Sequence, residues 1–111
     1  MDAFAKTALA EEGWIDMRLS LDEKQAILDT ILKFDPEAEI YLFGSRTDSS
    51  KKGGDIDLLI LSKKLSEDYK RLIRNDICDI IGEQKIDVLI AENESSPFVR
   101  KAKRNGIKLN D

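Results

Sequence analysis

Residues 42–61 read LFGSRTDSSKKGGDIDLLIL. Two apolar runs enclose a Gly-Ser-Arg corner and a polar loop, and the second run opens with Asp55 and Asp57. Successive side chains of a strand point to opposite faces, so Asp55 and Asp57 share one face while Ile56, Leu58 and Ile60 take the other. Like unit charges 4 Å apart repel by about 1 kcal/mol in water and about 4 kcal/mol near a protein surface. A carboxylate pair at the head of so apolar a segment therefore calls for a reason.

The flanking pattern supplies a fold. EIYLF at 39–43 is β-branched and aromatic and stops at Gly44, which predicts a first strand; residues 55–61 predict a second. The link of residues 44–54 is short for a parallel crossover unless it holds a small helix, so a mixed sheet is expected rather than a parallel one. KIDVLIA at 85–91 predicts a third strand, with Asp87 placed between Ile86 and Val88. If the second and third strands are neighbours, three carboxylates converge.

Helices fill the intervals. Ser20-Leu21-Asp22-Glu23 is a capping box, followed by Leu21, Leu28, Ile31 and Leu32 at helical spacing and ended by Asp35-Pro36. Ser66 is the expected N-cap of a second helix carrying Tyr69, Leu72, Ile73, Ile77, Ile80 and Ile81 as far as Gly82. Ser96-Pro97 opens a last helix that Gly106 closes, and residues 107–109 form a short apolar tail. Residues 1–19 form a lead segment in which Phe4, Leu9 and Trp14 could line one side of a helix; residues 20–111 form the domain. The expected fold is α/β (α+β), a small mixed three-stranded sheet flanked by helices.

Composition narrows the chemistry. The chain has 111 residues, 41 % of them hydrophobic, enough for one core and hardly for two. A net charge of -4 argues against a whole-molecule grip on nucleic acid. No apolar run reaches the roughly 20 residues of a membrane span, no signal peptide is evident, and the single Cys78 fits a reducing compartment, so the expected location is cytoplasmic. There is no histidine. Ser-His-Asp and Cys-His catalysis are thereby excluded, and a bound metal should be a hard, oxygen-liking ion.

A divalent metal is the reason the acids call for. Mg commonly uses one or two carboxylates and leaves positions for water and substrate phosphates. Gly44-Ser45 lies where a glycine lets a phosphate approach the backbone and the serine hydroxyl can donate to it, with Arg46, Lys51 and Lys52 adding positive charge. Each part alone has a plainer reading: an Asp pair as turn chemistry, Asp87 as a buried acid paired with Lys85 or an arginine, Cys78 as a core residue. The basic run Arg100, Lys101, Lys103 and Arg104 reads as a solvated helix face or as a contact for RNA or an acidic partner.

FGSR, the residues 46–54 and then DIDLLI together resemble the signature of the DNA polymerase beta-like nucleotidyltransferases, in particular their minimal single-domain prokaryotic members. The likeness covers about residues 20–91, although Thr47-Asp48-Ser49 stands where minimal members often carry Ala-Arg-Gly. It implies a palm-like core. It also implies that Gly44, Ser45 and Arg46 hold a nucleoside triphosphate, ATP or another, and that Asp55 and Asp57 bind two Mg ions, with Mn as a substitute. Asp87 then binds the catalytic metal and helps to deprotonate the attacking hydroxyl. The implied reaction transfers a nucleoside monophosphate, AMP from ATP, to a hydroxyl acceptor. The implied partner is a small helical HEPN-type protein, in a two-subunit enzyme or a toxin-antitoxin pair, with no membrane involved.

Among rivals, haloacid-dehalogenase-type phosphatases place their Asp-x-Asp after the apolar strand, and metal-dependent glycosyltransferases need a larger domain. The alternative of another class is a catalytically silent module that binds a nucleotide or covers a partner.

Overall fold

A computed structural model describes residues 19–44 and 56–110. The lead segment with Phe4, Leu9 and Trp14 lies outside these residues, as do Ser45, Arg46 and Asp55.

Helix α1, Leu21–Phe34, begins as its capping box dictates: Ser20 Oγ accepts from the Glu23 amide at 3.1 Å and Glu23 Oε1 accepts from the Ser20 amide at 2.9 Å. The face it buries is centred on Ala26, Ile27, Thr30 and Ile31. Leu21, expected in that stripe, is instead 75 % exposed. The helix stops before Pro36, where the Asp35 amide still donates to the Ile31 carbonyl.

Strand β1, Glu39–Phe43, pairs antiparallel with β2, Ile56–Leu61. A single helical turn, Glu67–Tyr69, and helix α2, Lys70–Ile81, then carry the chain to β3, Ile86–Ala91, which lies parallel to β2. The α-helix starts later than its pattern suggests, and the Ser66 hydroxyl makes no capping bond. Gly82 does close it, at φ +94, where most side chains would be strained. Helix α3, Pro97–Asn105, is capped by Ser96 Oγ accepting from the Phe98 amide at 3.2 Å and ends at Gly106.

The sheet is mixed, as expected, but among the described residues has four strands rather than three: β3-β2-β1-β4. The fourth, β4, is Ile107–Lys108, set antiparallel against Tyr41 and Leu42. Asn110 extends that pairing, since its Oδ1 accepts from the Ile40 amide at 3.0 Å and its Nδ2 donates to the Ala38 carbonyl at 2.9 Å.

One face of the sheet, with Ile40, Leu42, Ile56, Leu58 and Ile60, packs on Ile27 and Ile31 of α1 and on Ile73 and Ile77 of α2. The other, with Tyr41 and Leu59, packs on Val99 and Ala102 of α3. Each fully buried aliphatic side chain contributes about 1.5–3 kcal/mol. Burial on both faces explains why β2 reads as an unbroken apolar run after Asp57. Among the described residues this second face is covered by α3, a helix of nine residues.

Candidate nucleotide-binding and metal site

Asp57 and Asp87 meet at the end of the sheet where β2 and β3 begin. They are register partners on the parallel strands β2 and β3, so their Cα atoms sit about one strand spacing, roughly 4.8 Å, apart. Alternation puts both on the α3 side of the sheet, the side of Leu59 and Leu89. Asp57 is half-buried and Asp87 exposed, so Asp87 is not the satisfied buried acid of its plainer reading.

Gly44 completes the arrangement. Its φ of +76 lies in the region that favours glycine. A Cβ there would stand 3.1 Å from the carboxyl carbon of Asp57 and closer still to Oδ2. The glycine backbone therefore borders the carboxylate directly, and only a residue without a side chain leaves that space to the Asp57 carboxylate.

The structure thus brings together three of the six predicted site residues: Gly44, Asp57 and Asp87. Ser45, Arg46 and Asp55 lie outside the described residues. Among the described residues no group of three or more Asp, Glu, Cys or His side chains could hold a metal, and the acids that the strands bring side by side there are Asp57 and Asp87. Two carboxylates side by side, with a glycine cradle beside them, fit a hard divalent cation that takes its remaining oxygens from water and phosphate.

The aromatic surroundings were not legible in the motif. Phe43 is the cross-strand partner of Asp57 and shares its face, so Phe43, Asp57 and Asp87 form one row across three strands. Phe98 of α3 packs on Phe43 edge to face, with ring centroids 6.2 Å apart and planes at 82°.

The basic helix divides in two. Lys103 donates to Glu94 at 2.7 Å and lies 5.8 Å from the centre of the Tyr41 ring, while Arg100 donates to the carbonyls of Glu94 and Ser95. Lys101 and Arg104 are exposed. Cys78 is half-buried and its thiol lies 3.5 Å from the Gln84 carbonyl, in keeping with a packing role.

A cleft of about 670 Å³ lies at the opposite end of the sheet, lined in part by Asp35, Glu37, Ser62, Lys63 and Glu92. Its buried polar pair is structural: Ser62 Oγ donates to Asp35 at 2.5 Å and accepts from the Lys64 and Leu65 amides.

Among the described residues no helix is long and apolar enough to cross a membrane. No curated protein matches the chain. The family model described as Polymerase beta, Nucleotidyltransferase matches residues 15–111, which include every described element and the full Gly-Ser and Asp-x-Asp signature. The chain belongs to the polymerase beta nucleotidyltransferase family.

Proposed function

We propose that this protein is an Mg-dependent nucleotidyltransferase that moves a nucleoside monophosphate, AMP from ATP, onto a hydroxyl acceptor. The observation that carries the reading is the register pairing of Asp57 with Asp87 beside the Gly44 cradle, in a chain of this family.

In this reading Asp57 and Asp87 hold Mg, with Asp55 as a further ligand and Mn as a substitute. The bound ions would polarise the α-phosphate and steady the departing pyrophosphate. Gly44 lets the triphosphate approach the backbone, and Ser45 and Arg46 donate to its oxygens. Asp87, the more exposed acid, accepts the proton of the attacking hydroxyl. Strand pairing fixes both carboxylates, so their geometry does not depend on long side chains.

Positioning supplies much of the rate in such transfers, and the described residues spend their length on one sheet and its cover. A second protein, small and helical like the HEPN-type proteins, is proposed to present the acceptor. Incubation with ATP labelled in its α-phosphate, in a lysate with and without the product of the neighbouring gene, tests the reading. Label transferred to an acceptor in Mg and not in EDTA supports it. Binding of Mg-ATP with no transfer under any condition would instead mark a silent nucleotide-binding module.

A further inference from the structure

The end of the sheet that carries the acids also carries an exposed aromatic ring. Phe98 is 58 % exposed, although it sits on the helix α3 that packs on this face and its neighbours Val99 and Ala102 are buried. Lone exposed apolar residues are ordinary on surfaces, so exposure alone says little. Its position says more. Phe98 packs against Phe43, Phe43 is the residue before Gly44, and Phe43 shares a rung with Asp57. Read across the strands, the row runs from the ring pair through Asp57 to Asp87, apolar and aromatic at one end and anionic at the other.

That polarity matches one class of ligand. A nucleoside triphosphate is a flat π system at one end and a metal-bound polyphosphate at the other, separated by a sugar. With the phosphates at Gly44 and the metal-binding acids, the base falls on the aromatic side of the row. We propose that Phe98 is the stacking platform for the nucleobase, held upright by its edge-to-face contact with Phe43. The inference rests on the nucleotide-binding reading of Gly44 and Asp57, and assigns to Phe98 the part of the ligand that reading leaves unplaced. Stacking on one ring uses the π face that every base has, so the platform supplies affinity for nucleotides over bare polyphosphate.

The test compares ATP with inorganic tripolyphosphate, each with Mg, by calorimetry. Phe98→Leu keeps an apolar contact with Phe43 and removes the ring; Phe98→Trp restores a larger one. Loss of a base stack should weaken ATP binding about ten- to hundredfold in the leucine variant. Tripolyphosphate binding should stay within about twofold, and the tryptophan variant should bind ATP at least as well as the native chain. Equal ATP affinity in the native and leucine proteins would overturn the platform and leave the nucleotide reading standing. Parallel loss of ATP and tripolyphosphate would overturn it too, by showing that Phe98 acts through the fold. A native chain that binds neither ligand would remove the nucleotide reading itself and the platform with it.

Discussion

Asp57 of β2 and Asp87 of β3 occupy the same rung of a parallel ladder. Placing two acids side by side costs the apo protein some repulsion, about 1 to 4 kcal/mol depending on their exposure to water. Removing one of the two like charges relieves that repulsion in the metal-free protein.

Asp87→Asn is accordingly expected to leave the melting temperature in metal-free buffer unchanged or a few degrees higher. Nucleotide transfer should fall by about 10²- to 10⁴-fold, the usual contribution of a positioned base. Asp57→Asn should abolish transfer as severely. A clear drop in melting temperature for Asp87→Asn would mean that this carboxylate is structural.

Gly44→Ala tests the cradle. The new Cβ would enter the space of the Asp57 carboxyl group, on a backbone at φ +76 that costs a side-chain-bearing residue about 1–3 kcal/mol. Both thermal stability and Mg-ATP affinity should fall, with a melting temperature lower by roughly 5 °C or more. An alanine variant with native affinity would show that the close approach is not needed.

Ser62→Ala separates fold from function. It removes the donor to buried Asp35 and the acceptor for two amides, at the end of the sheet away from the acid pair. Stability should drop by about 1–3 kcal/mol, while ATP affinity in the folded protein stays native. Chemical denaturation and calorimetry read the two effects separately.

The pH dependence has a defined sign at the alkaline end. Burial, and then the hydrogen bond to Glu39, raise the Tyr41 pKa above its ordinary 10.0. The Lys103 pKa rises above 10.5 chiefly through its hydrogen bond to Glu94. Both groups hold their protons more tightly folded than unfolded, so their contribution is fully present below about pH 10 and is lost as pH rises through the folded values. Thermal melts should show stability falling above pH 10, and Tyr41→Phe should flatten part of that fall.

Sequence alone revealed the elements whose cause is local. The Ser20–Glu23 capping box, the Asp35-Pro36 stop, Gly82 and the Ser96-Pro97 start each act within a few residues, and each appears where its chemistry places it. Failures came where a distant partner decides. The strand Ile107–Lys108 is too short to show a period and exists because β1 offers it bonds, a pairing that Asn110 extends through its own bonds to Ile40 and Ala38. Leu21 fits a helical stripe but is exposed, whereas Ala26, Ile27, Thr30 and Ile31 form the buried face of the helix. Asp57 and Asp87 were separately visible as acids inside apolar runs, whereas their shared rung depends on a strand order that no local pattern carries. Phe98 belongs with them only because α3 crosses the sheet above Phe43.

The most direct test of the account is calorimetric titration of the native chain with ATP, in Mg and in EDTA, beside the Asp57→Asn variant in Mg. The account predicts binding that needs the metal, weakened at least about tenfold in EDTA and equally weakened by the loss of the Asp57 charge. Equal ATP affinity in all three conditions would contradict it, because the acid pair would then have no part in holding a metal-bound nucleotide.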